Sequence, residues 1–271
     1  MSTHIDIKTE VIHRYVYELR FEFGQVYCDR AGRIAKEILS RSEFEGWESE
    51  LINFDFCRLI HRQANLVFNF GPAKLDLSQA QNADVETLIS VGDFGKLAEI
   101  ATSVVVENLD LEIFPRIGFR VWRLYGTSDR KHSEQLVRDL RLFSLDLTLS
   151  SSLGEVYDIS HRLIVDRPNH LLRIAVTPFE QPVNLPPNLI QAAKAKAKNH
   201  DKRQRSVMLD KMKADRTIKY YPQFGVLLDL DAYIEDPPYP DDLTVSDFIM
   251  NTFEDFEKIK KTVLTGPKDS R

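Results

Sequence analysis

Short runs of alternating apolar and polar residues, separated by longer stretches at helical spacing, set out the plan of this chain. Between Val11 and Phe23, Tyr15, Tyr17, Leu19, Phe21 and Phe23 alternate with Glu18, Arg20 and Glu22, which predicts a half-buried strand. Gly24 ends it. Val26, Ala31, Ile34, Ala35, Ile38 and Leu39 then recur every three to four positions, predicting an amphipathic helix that ends near Arg41. Phe54 to Leu77 alternates in short pieces with turn signals at 63–65 and at Gly71–Pro72, a meander of two or three antiparallel strands. A polar loop at 78–84 leads to a helix over 93–109, with Asp93 as its expected N-cap and Phe94, Leu97, Ile100, Ala101, Val104 and Val105 on one face.

The second half repeats that order around one central strand, Leu111–Tyr125. Beyond Pro115, which suits a strand start because it has no N–H to give a ladder, Ile117, Phe119, Val121 and Tyr125 fall on one side. Arg116, Gly118, Arg120, Trp122 and Leu124 fall on the other, and Arg116, Arg120 and Arg123 read as a solvated face whose aliphatic stems cover apolar surface. A helix over 132–143, strands over 156–165, 171–177 and 225–233, and a closing helix over 243–264 follow. The expectation is an α+β fold of two packed lobes, 1–110 and 111–271, each β-α-β-β-(β)-α with an antiparallel sheet. Echoes such as VGDF at 91–94 and VSDF at 245–248 suggest internal duplication.

Composition narrows the class without naming a function. Apolar residues at 43% and charged residues at 28%, with 16 Phe and 9 Tyr, describe a soluble globular chain with aromatic cores. A formal charge of −5 supplies no whole-molecule attraction for DNA or an acidic membrane. Cys28 and Cys57 are too few for a disulfide framework or a zinc site, and both read as reduced, buried thiols. No signal-like opening or long apolar run is present, so a cytoplasmic protein without membrane association is expected.

One segment departs from this average. A proline-rich exit near 182–187 opens a basic insertion, about 186–220, expected to be a helical arm of the second lobe. Positions 192–220 carry ten Lys and Arg against three Asp, a local charge of +7 that leaves −12 for the remainder. Lys194, Lys196, Lys198, Lys202, Arg203, Arg205, Lys211 and Lys213 are its candidate contacts to nucleic acid or a protein partner. Their spread around a helix suits non-specific phosphate contact better than base reading.

The opening strand YVYELRFEF, the central strand FPRIGFRV after a helix, the late strand GVLLDLDAY and the acidic start of the closing helix together resemble a sporadically distributed, uncharacterised family of bacterial and archaeal proteins of about 270 residues. The resemblance spans nearly the whole chain. It implies a two-lobed α+β fold and a bacterial setting, and it implies no activity.

Catalytic signatures of the GxxxxGK, GxGxxG, HExxH and GxSxG types are absent, and the seven histidines are scattered; His61 and His161 read as structural strand residues. Asp229 and Asp231 are the candidate chemical pair, because a spacing of two on a strand aims both carboxylates at one face, where oxygen ligands suit a divalent metal. Cys28 has no base placed near it by sequence, and Trp47, Trp122, Tyr220 and Tyr221 are the aromatics available for stacking. The leading expectation is a non-enzymatic regulatory or interaction protein with a protein partner and no cofactor. A nucleic-acid-binding protein using 192–220 and a metal-dependent enzyme using Asp229 and Asp231 are the alternatives.

Overall fold

The computed structural model describes residues 9–81, 87–140, 160–180, 222–237 and 244–265. It is an α+β protein built on a large antiparallel sheet. The strands are β1 (Thr9–Arg20), β2 (Glu48–Ile52), β3 (Cys57–His61), β4 (Leu66–Phe70), β5 (Lys74–Ala80), β6 (Arg116–Gly126), β7 (His161–Asp166), β8 (Leu171–Glu180) and β9 (Phe224–Glu235). The helices are α1 (Tyr27–Leu39), α2 (Val91–Leu109), α3 (Arg130–Asp139) and α4 (Val245–Thr265). The strands order as β2-β3-β4-β5-β1-β6-β9-β8-β7, so the first and the central strand of the sequence lie side by side in the middle.

The chain divides into two compact units. One comprises 1–11, 124–160 and 176–227, and the other 12–123, 161–175 and 228–271. In the larger unit, alternation along each strand sends Tyr15, Tyr17, Leu19, Leu75, Leu77, Ile117, Phe119, Val121, Leu228 and Leu230 into the core. Phe119 lies at its centre, with its ring centroid 6.0 Å from Tyr15, 6.1 Å from Phe94 of α2 and 6.0 Å from Phe256 of α4. Tyr17 is buried there too, and its hydroxyl meets Thr102 Oγ1 of α2 at 3.1 Å, so the phenol is not left unsatisfied. Helices α2 and α4 pack closely because Gly95 carries no side chain: a Cβ there would stand 3.1 Å from Ser246 Oγ.

In the smaller unit, α3 is capped by Asp129, whose side chain accepts from His132 N, and its Leu136 and Val137 are buried. Gly225 lies so close to Tyr125 that a Cβ would come within 2.2 Å of the Tyr125 carbonyl oxygen.

Local chemistry moved several predicted boundaries. The 91–109 helix is capped by Ser90, whose Oγ accepts from Asp93 N at 3.0 Å; Asp93 is the third residue of the helix and not its cap. The central strand begins at Arg116, and Pro115 O instead accepts from Asp236 N. A strand over 48–52, absent from the sequence expectation, pairs with β3; every residue in it is exposed, so no alternation marks it. Phe23, expected on the core side of the first strand, is 60% exposed because regular pairing ends at Arg20.

Candidate functional site

The face of the sheet opposite α2 and α4 is the chemically rich one. It begins on β3, where Arg58, Asn69 and Asp76 stand directly opposite one another across three strands. Arg58 Nε donates to Asn69 Oδ1 at 2.9 Å, and Asn69 Nδ2 donates to Asp76 Oδ2 at 2.8 Å. Across the next register Asp76 faces Glu18, a like-charge pair that strands normally avoid. Lys74, 3.8 Å from Glu18, and Arg20, 2.8 Å from it, offset the repulsion. Burial pushes the Asp76 carboxyl above the usual carboxylate range against the opposing hydrogen bond from Asn69. A cavity of about 420 Å³ lies beside this row, walled by Phe56, Pro72 and the same polar side chains.

The centre of the face, on β1, β6, β9 and β8, is an arginine and carboxylate lattice. Arg120 grips Asp229 with two parallel bonds, Nε to Oδ1 at 2.7 Å and Nη2 to Oδ2 at 2.5 Å. That bond is the main reason the Arg120 guanidinium holds its proton more tightly than usual. Asp231 lies between Arg173 at 2.5 Å and Arg116 at 3.5 Å, and its side chain is only 7% exposed. Burial pushes the Asp231 carboxyl upward, while Arg173, Arg116 and Arg120 draw it down.

Two aromatic rings carry the guanidiniums. Arg14 and Arg120 lie over Trp122 at 5.2 and 4.9 Å from the ring centroid, and Arg116 lies over Tyr233 at 4.5 Å. Gly118 leaves the space that Arg116 uses, since the nearest atoms to a Cβ there are Ala232 O at 3.5 Å, Tyr233 Cβ at 3.6 Å and Arg116 Nη2 at 3.7 Å. Arg14 Nε, like Arg116 Nε, is buried with no hydrogen-bond partner; Arg14 differs from the other three arginines in that no carboxylate among the described residues stands within ion-pairing distance of it.

The structure therefore puts Asp229 and Asp231 on one face and sets both against guanidiniums. A divalent cation at that pair would have to displace Arg120, Arg116 or Arg173. Among the described residues, no group of three His, Cys, Asp or Glu is placed to hold a metal. Lys194, Lys196, Lys198, Lys202, Arg203, Arg205, Lys211, Lys213, Tyr220 and Tyr221 lie outside the described residues.

Two expectations about single residues are corrected. Arg123 is not on the solvated face: it is 2% exposed, on the helix side of β6, where it pairs with Glu257 of α4 and lies over Phe253. The unbroken alternation 117-119-121-123-125 puts it there, and charge alone suggested otherwise. Cys28 is exposed in the first turn of α1, whereas Cys57 is buried and its thiol is pushed up to about 12 by burial.

Trp47 and His61 pack edge to face with ring centroids 6.0 Å apart, and His61 Nδ1 accepts from Ala64 N at 3.1 Å, which makes both structural. Arg14 and Arg173 were missed as site residues because each becomes notable only once strand order places it beside β6 or β9. The one available signal was their position opposite core residues, Arg14 next to Tyr15 and Arg173 between Leu172 and Ile174. No family model matches the chain, and no curated protein matches it significantly.

Proposed function

We propose that this is a non-enzymatic regulatory or interaction protein that recognises a macromolecular partner through the polar face of its sheet. The observation that carries the reading is the lattice on β6, β9 and β8, in which Asp229 and Asp231 fix Arg120, Arg116 and Arg173 in place while those arginines keep 34%, 27% and 26% of their side-chain surface open. Arginines immobilised in this way lose little entropy on binding, and their charge selects the partner. A bacterial, cytoplasmic setting and kinship with the sporadically distributed family of two-lobed proteins belong to the same proposal. Internal duplication does as well, and strand order supports it: β5-β1 and β9-β6 flank the centre in matching order, each first strand is followed by a helix, and each half closes with a long helix.

The test is cross-linking and capture from the native cells, with the wild-type chain and an Arg116→Ala/Arg120→Ala variant in parallel. The expected result is a defined partner held by the wild type and lost by the variant. Equal capture by both, or none by either, would overturn the use of this face. The metal-dependent enzyme is the lesser reading, because three guanidiniums already occupy Asp229 and Asp231. Calorimetric binding of Mg²⁺ or Mn²⁺ that vanishes in Asp229→Ala would revive it.

A further inference from the structure

Resting on that reading, we infer that the partner is a single-stranded nucleic acid, and that Arg14 and Arg120, stacked on Trp122, are its phosphate-binding residues. Charge is the first ground. Among the described residues the centre of the face carries Arg14, Arg116, Arg120 and Arg173 against Asp229 and Asp231, while Glu18, further along β1, is matched by Arg20 and Lys74; this is a local positive excess on a chain whose formal charge is −5. An excess of this sign in a fixed array attracts a polyanion to one place.

The second ground is Arg14 itself. The Trp122 ring holds its guanidinium, Nε is buried without a hydrogen-bond partner, and no described carboxylate stands within ion-pairing distance of it, Asp76 acting on it only at longer range. That leaves a guanidinium with no ion pair among the described residues, and a phosphate oxygen fits the planar fork of arginine. Beside it Trp122 Nε1 is also buried with no hydrogen-bond partner, a second donor in the same place.

The third ground separates a nucleic acid from an acidic peptide. Strand β6 presents two guanidiniums layered on aromatic rings, Arg120 on Trp122 of the same strand and Arg116 on Tyr233 of the adjacent β9. An acidic peptide requires the charges but makes no use of the layers. Unpaired bases stack on guanidinium planes while their phosphates take the N–H edges, so a repeat of flat base and anion matches a repeat of flat cation and ring. Duplex DNA, whose bases are already stacked, offers only its phosphates.

The experiment is fluorescence anisotropy of the full chain with labelled single-stranded oligo(U) and oligo(dT) of about 12 nucleotides, a duplex of equal length, and a polyglutamate peptide as competitor. Binding to the single strands is expected at low salt, with the affinity falling at roughly 0.7 in log–log slope per phosphate contacted. Arg14→Ala should weaken it by about ten- to a hundredfold. Arg14→Lys, which keeps the charge and loses the stacked plane, should weaken it too. Arg14→Gln replaces Arg14→Ala if circular dichroism shows the latter misfolded.

Unchanged binding in the Arg14 variants, including binding through 192–220, would overturn the inference. So would equal affinity for the duplex, or full competition by polyglutamate. Absence of oligonucleotide binding alongside a captured protein partner that is lost in Arg116→Ala/Arg120→Ala would sink this inference and leave the interaction reading standing.

Discussion

Arg123 of β6 and Glu257 of α4 form an ion pair on the helix-covered side of the sheet, with the arginine side chain 2% exposed and the glutamate 34% exposed. The guanidinium also lies 5.5 Å from the Phe253 ring centroid, so one residue ties the central strand to two positions of the closing helix. The unequal burial predicts unequal mutants. Glu257→Gln takes the carboxylate from a guanidinium that is itself out of reach of water, and should cost more than the loss of the arginine. Arg123→Met leaves a carboxylate that can rehydrate and keeps most of the apolar volume, and should cost about 1–2 kcal/mol. Urea midpoints at unchanged slope measure both; equal losses would mean that the pair does not set the seating of α4.

The same residue shows where sequence reading stopped. The long alternating runs were legible because burial on one face imposes a period of two, and the amphipathic helices because their apolar stripes face that sheet. Three kinds of feature were not. Arg123 obeys the alternation, but its charge outweighs position in any reading that treats arginine as a surface residue. The 48–52 strand has no apolar period, since all five of its residues are exposed. The lattice of Arg116, Arg120, Arg173, Asp229 and Asp231 joins residues far apart in sequence and exists only through the order β6-β9-β8. Asp229 and Asp231 were visible as a pair; the guanidiniums that occupy them were not.

The bidentate contact between Arg120 and Asp229 should be measurable as a coupling. Arg120 is about one-third exposed, so water and salt screen the pair and its value is well below that of a fully buried bridge. A double-mutant cycle with Arg120→Ala and Asp229→Ala is expected to give about 1 kcal/mol at low salt, declining as salt is raised. A coupling near zero at low salt would show that the two side chains are held by the strands alone.

Asp76 predicts a pH effect of definite sign. Its carboxyl is raised above the ordinary value, with burial as the main cause, so between the ordinary and the raised value the folded chain holds more protons than the unfolded one. Stability therefore falls as pH rises through that window, and the cost persists at neutral pH. Asp76→Asn removes the ionisation and retains an oxygen for Asn69 Nδ2. Thermal unfolding should show the variant more stable than wild type at neutral pH, with the difference closing below the carboxylate range. A variant less stable at every pH would mean that attraction to Lys74 and Arg14 outweighs the burial.

The two cysteines should respond to a thiol reagent as different species. Cys28 is exposed, while Cys57 sits on the core side of β3, opposite Phe70 in register, with its thiol pushed up to about 12. Thiolate is the reacting form, so near neutral pH Cys57 is protected twice, by lack of access and by lack of ionisation. The native chain should take up one label and the denatured chain two, in agreement with the two cysteines of the sequence. The rate of the second labelling in native buffer then reports opening of the β3–β4 pair, because Cys57 cannot react until that part of the sheet separates. Cys28→Ser should abolish the fast phase and leave the slow one unchanged. Two fast labels on the native chain would show that β3 is not packed as described.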